Sequence, residues 1–168
     1  MSKNVSVLVL LFMILIMTVG CQSSMHNETT EASLDTASKT NAPPLWPDNI
    51  MEGTWEGEAW RINSRGASHI LDRLTITCEP HGLLKVNRTW RTLDGAGGHK
   101  GRTPVMSDDE ELVGVFDQAT GHFRLVEMDE PGTMDGYLVD RNTIDFFSTQ
   151  PGRQPSTSHE RLQRKTDP

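Results

Sequence analysis

The sequence predicts an all-β domain: an antiparallel meander of about seven or eight short strands closed into a small barrel, with a two-sheet β-sandwich as the alternative. Three observations lead there. From Met51 onward apolar residues recur with a period near two, the alternation that sends successive side chains to opposite faces of a strand. The alternating segments are short and are punctuated by turn residues: Pro80-His81-Gly82, Asp117 to Gly121, and Asp140-Arg141-Asn142. No segment of the domain carries the apolar stripe of an amphipathic helix.

Two stretches of different composition precede the domain. Residues 5–19, VSVLVLLFMILIMTV, form an uncharged apolar run after a single Lys3. It is shorter than the roughly 20 residues a bilayer-spanning helix needs, and small residues close it, so residues 1–20 read as an export signal. Thr18-Val19-Gly20-Cys21 resembles the lipobox of bacterial lipoproteins, although Thr18 stands where Leu is commonest. That resemblance implies a diacylglyceryl group on the Cys21 sulfur, cleavage after Gly20, and an acyl chain on the new amino group. Gln22 in place of Asp resembles enteric lipoproteins sent to the outer membrane. Two or three fatty chains hold a protein to a membrane where one does so only marginally.

Residues 21–45 are rich in Ser, Thr, Asn and Glu and end at Pro43-Pro44-Leu45. They bury too little apolar area to offset their ordering entropy and read as a disordered tether with an average reach on the order of 27 Å. Removal of residues 1–20 takes Lys3 from the 16 basic side chains, leaving 15 against 23 acidic ones, a balance of −8. Such a balance disfavours nucleic acid or anionic headgroups as partners, because both call for clustered Lys and Arg. With Cys21 lipidated, Cys78 has no partner for a disulfide, so packing must stabilise the domain, residues 46–165.

Within the domain, residues 53–62 (GTWEGEAWRI) open the first strand and 74–78 (LTITC) the second, with Leu74, Ile76 and Cys78 on one face. Residues 83–90 (LLKVNRTW) place Leu84, Val86, Arg88 and Trp90 together. Residues 112–116 and 123–128 flank the Asp117 to Gly121 turn, and 136–139 and 143–147 flank the turn at 140–142; both pairs read as hairpins. Residues 159–164 supply a closing strand. Gly53-Thr54-Trp55 at the start, with Arg161 or Arg164 near the end, resembles the Gly-x-Trp opening of lipocalin-like and other calycin barrels. That likeness implies that Trp55 packs at a closed end beneath an Arg, with ligands entering opposite.

Chemistry-bearing residues are sparse. The glycine-rich residues 94–103 lack the Gly-Lys-Ser/Thr ending of a P-loop and read as a flexible connection, in functional terms a flap at the barrel mouth. Cys78 with His81 is half of a metal site without its complement, so no metal and no cofactor is expected. Asp108 to Glu111 read as a solvated acidic run. No Gly-x-Ser-x-Gly is present, no catalytic residue is assigned, and the enzymatic alternative is a hydrolase using His122 with a neighbouring carboxylate. Arg88 on an apolar face reads as a residue near a strand end or rim; buried, it needs a carboxylate or an anionic ligand. The expected function is a non-catalytic, lipid-anchored binder of a small apolar or amphipathic molecule or an envelope partner, lined by Trp60, Arg88, Trp90 and Phe116. A purely structural module is the remaining alternative.

Overall fold

A computed structural model describes residues 45–166. The segments read as signal peptide and tether, with Cys21, lie outside the described residues apart from Leu45. The described chain is all-β, and its ten strands run in the order β1 (Gly53–Asn63), β2 (Gly66–Glu79), β3 (Leu83–Gly95), β4 (Gly98–Lys100), β5 (Thr103–Val105), β6 (Ser107–Phe116), β7 (His122–Glu127), β8 (Thr133–Asp140), β9 (Thr143–Gln150) and β10 (Ser156–Arg164). Eight of them close an antiparallel barrel in the order β1-β10-β9-β8-β7-β6-β3-β2, whereas β4 and β5 pair only with each other. Because β1 pairs with β2 along one edge and with β10 along the other, no edge strand is left open, and the sandwich alternative is set aside.

The alternation that predicted the strands also fills the barrel, but differently at its two ends. At the end where β1 begins and β10 finishes, Met51, Trp55, Leu74, Ile76, Leu84, Leu112, Phe116, Phe123, Phe146 and Leu162 form one apolar cluster. Trp55 donates its ring N–H to the Met51 carbonyl at 3.0 Å. The Arg164 guanidinium lies 4.0 Å over the Trp55 ring and donates to the carbonyls of Arg141, Glu52 and Ile50. One planar cation thus closes this end by satisfying three main-chain acceptors from two segments, the stretch before β1 and the β8–β9 turn. At the same end Asp117 makes the β6–β7 turn: its carboxylate accepts from the Ala119 N–H and the Thr120 hydroxyl, and Gly121 supplies the left-handed residue at φ 76°.

At the opposite, open end most inward positions are polar, with Ile70 and Trp90 the large apolar exceptions. Strands β2, β3 and β6 run further there than the apolar alternation indicated, and residues 94–103 are not a flexible connection. Gly98 to Val105 form the β4–β5 hairpin. A Cβ at Gly98 would lie 2.5 Å from the Trp90 ring, so the hairpin backbone rests directly on that indole. Asn63, the last residue of β1, and Arg65, in the β1–β2 turn, donate to the carbonyls of Gly97 and Gly98 and fasten the hairpin to the rim.

Candidate functional site

Arg88 lies at the centre of the open half, 2% exposed, in the barrel interior and not at a rim. It reached that position because it continues the inward phase Leu84, Val86, Arg88, Trp90 of β3. Its guanidinium donates to Asp72 on β2 through Nε (2.8 Å) and a terminal nitrogen, to Glu110 on β6 (3.1 Å) and to Glu160 on β10 (3.0 Å). Burial alone would lower the Arg88 pKa, but the three carboxylates outweigh it and hold the group firmly protonated. Beside it, the buried Arg61 guanidinium stacks 4.4 Å over Trp90, whose ring N–H donates to Glu110 at 2.8 Å.

Asp72 and Glu160 are both 0% exposed. Asp72 Oδ1 and Glu160 Oε2 receive no donor from any other group, yet the two carboxyls are within hydrogen-bonding reach of each other. A proton on Glu160, donated to Asp72, would leave neither oxygen orphaned. Burial and the neighbouring Asp72 charge push Glu160 up to about 8, while Asp72, despite its own burial, is held below the usual carboxylate range by Arg88 and by the hydrogen bond from Glu160. Ser158 donates its hydroxyl to the same Glu160 carboxyl. Toward the mouth, burial and the Glu110 charge push Glu127 up to about 7.

Two hollows open above this network. A cleft of about 740 Å³ is lined by His99, Arg102, Glu130, Pro131, Pro151, Arg153 and Gln154, drawn from the β4–β5 hairpin, the β7–β8 turn and the β9–β10 loop. A smaller pocket of about 130 Å³ shares His99 and Glu130 with it and is walled by Asp108, Glu110, Glu127 and Asp129. The run Asp108 to Glu111 is therefore not a solvated tract: Asp108 and Glu110 take the inward phase of β6, and only Asp109 and Glu111 face outward.

The four residues expected to line a ligand site are not brought together. Arg88 and Trp90 meet in the charged network, and Phe116 belongs to the apolar cluster of the closed end. Trp60 is 64% exposed on the outer wall, because it is five residues from the inward Trp55 and an odd separation reverses the face. There it stacks on His69 at 5.0 Å, and Phe147 stacks on His159 at 4.7 Å two strands away. His122 also lies on the outer wall, tilted against Tyr137 and paired with Asp135 at 3.0 Å, away from the open-end hollows. Cys78 is half-buried and burial pushes its thiol up, so it is not poised as a thiolate ligand; His81 forms the positive-φ corner of the β2–β3 turn. Among the described residues no group of three or more His, Cys, Asp or Glu side chains could hold a metal ion.

Asp72, Glu160, Arg61 and Glu127 escaped the sequence reading. The signal was present: Asp72 is two residues before Leu74, Glu160 two before Leu162, and Glu127 two after Leu125, each in phase with an inward apolar neighbour. Comparison with protein-family models and with curated protein sequences finds no match for the chain.

Proposed function

We propose that the protein is an exported lipoprotein, held to a membrane through Cys21, whose calycin-type barrel binds a small amphipathic molecule at its open end. The asymmetry of the barrel carries this reading. One end is plugged by Trp55 and Arg164, and the other presents a cleft of about 740 Å³, within the range of small-molecule sites. The Gly53-Thr54-Trp55 opening with Arg164 over Trp55 supports the calycin likeness, and of the two arginines offered by the sequence it is Arg164 that takes this role, since Arg161 is paired with Asp145 on the outer wall. The ligand belongs in the mouth and not in the deep interior, where the apolar cluster and the Arg88 network fill the space.

Native mass spectrometry of the full-length chain taken from its own membrane should reveal a co-purifying small molecule and an acylated N-terminus at Cys21. Cys21→Ser should move the protein out of the membrane fraction. A ligand-free mass across preparations sinks the binder, and a chain that begins at Met1 with an unmodified thiol sinks the anchor.

One observation favours a catalytic second reading. Glu127, poised at about 7 and facing Glu110 in the smaller pocket, has the proton affinity of a general acid or base. Glu127→Gln separates the two: under the binder reading it leaves ligand occupancy intact, while under the enzymatic one the bound molecule accumulates unprocessed.

A further inference from the structure

Building on the open-end binding reading, we propose that the cleft takes a small monocarboxylate that also bears a hydroxyl or amide N–H, with Arg102 and Arg153 gripping the carboxylate. The two guanidiniums come from different loops, Arg102 from the β4–β5 turn and Arg153 from the β9–β10 loop, and both line the cleft. Among the described residues neither makes a salt bridge, whereas Arg73, Arg88, Arg124 and Arg161 are all paired with carboxylates. The one acid of the cleft, Glu130, is held by other lining groups and not by the arginines: its carboxylate accepts from the Gln150 side chain and from the Gly101 N–H at 3.3 Å. Two arginines against one carboxylate leave the cleft net positive in a chain whose formal charge is −7. An anionic group is the complement.

The same cleft holds orphaned polar atoms. Both ring nitrogens of His99 and the Gln154 side-chain oxygen are buried and have no hydrogen-bond partner. Buried polar atoms are rarely left so; a His99 N–H can donate to a carboxylate, but the Gln154 oxygen only accepts and asks for a donor that a carboxylate cannot supply. A hydroxyl or amide N–H on the ligand fills that need, and Pro131 and Pro151 offer apolar contact to the remainder. Charge sets the upper limit. The adjoining pocket, walled by Asp108, Glu110, Glu127 and Asp129, opposes a second negative group, so a monoanion fits where a phosphate dianion is repelled.

The test is calorimetric titration of the full-length chain in non-ionic detergent with 3-hydroxyhexanoate, hexanoate and methyl 3-hydroxyhexanoate, probes short enough to stay largely outside micelles. The hydroxy acid should bind tightest; loss of its hydroxyl should weaken it about 5-fold, and esterification about 10-fold or more. Arg102→Ala/Arg153→Ala, two exposed loop positions, should weaken the acid by about 10-fold or more while leaving the ester unchanged. Equal affinity for acid and ester, indifference to the double substitution, or no binding of any probe overturns the assignment. A native co-purifying molecule retained in full by the double variant would refute this ligand chemistry yet leave the open-end binder standing. Its absence from the unsubstituted chain would refute the binder itself.

Discussion

Arg88 holds three carboxyl groups from three strands, and its removal strips the fully buried Asp72 charge of its ion-pair partner and leaves Glu110 and Glu160 without their donor. Arg88→Met should therefore lower unfolding free energy by about 3–5 kcal/mol in urea titrations, and adding Asp72→Leu and Glu160→Met should recover much of that loss. A single substitution that costs no more than an exposed one would contradict the network. Glu160 gives the pH signature. Its ordinary value is 4.5 and its folded one about 8, so between these limits the folded chain keeps a proton that the unfolded chain has released. The stability it contributes is full below about 4.5 and drains away as pH rises to about 8. Glu127 adds the same sign between 4.5 and about 7, while Asp72, depressed in the fold, acts oppositely and costs stability as pH falls below its ordinary 3.8. Urea midpoints should thus decline from pH 5 to pH 8, and Glu160→Gln should flatten the decline. An equally steep slope in that variant would mean that no proton is shared with Asp72.

At the level of elements, the hairpins were legible and the mouth was not, for one physical reason. Hydrophobic alternation reports only that part of a strand which faces an apolar interior. Near the closed end Leu74, Ile76, Leu84, Val86, Leu112 and Phe116 are inward, and the alternation found their strands. In the open half the inward positions include Asp72 on β2 and Asp108 and Glu110 on β6, so the first half of β6 read as charged loop and the start of β2 vanished from view, whereas Arg88 stayed within a legible strand because Trp90 continues its phase. The β4–β5 hairpin was hidden by its glycines, which suggest freedom although Gly98 is glycine because Trp90 leaves no room for a Cβ. Gly98→Val should lift the hairpin and free the backbone at the already exposed Lys100 and Arg102 to enter trypsin: cleavage there should quicken several-fold under native conditions while the far-ultraviolet spectrum of the barrel stays unchanged. Unaltered cleavage would show that the hairpin does not depend on this contact.

At the level of the whole barrel, the two ends divide the work. The described chain joins the barrel at the closed end, where the Trp46 N–H donates to the Gln118 carbonyl, and every loop that lines the cleft is at the other. Leu45, the first described residue, is thus at the end opposite the mouth, beside His81, Phe116 and Asp117. The Arg164 fork joins the segment before β1, the end of β10 and the β8–β9 turn, with Trp55 beneath it. Removing it gives up three carbonyl hydrogen bonds at about 0.5–1.5 kcal/mol each and a cation–π contact of about 0.5–2 kcal/mol. Arg164→Ala should accordingly lower stability by about 2–4 kcal/mol and the melting temperature with it. Arg164→Lys should recover little, because an ammonium cannot present a planar fork to three acceptors. Ligand affinity at the mouth, measured well below the melting transition, should be the same in both variants as in the unsubstituted chain, since the apolar cluster and the Arg88 network lie between the two ends. A matching fall in affinity and stability would instead mean that the plug and the mouth respond as one unit.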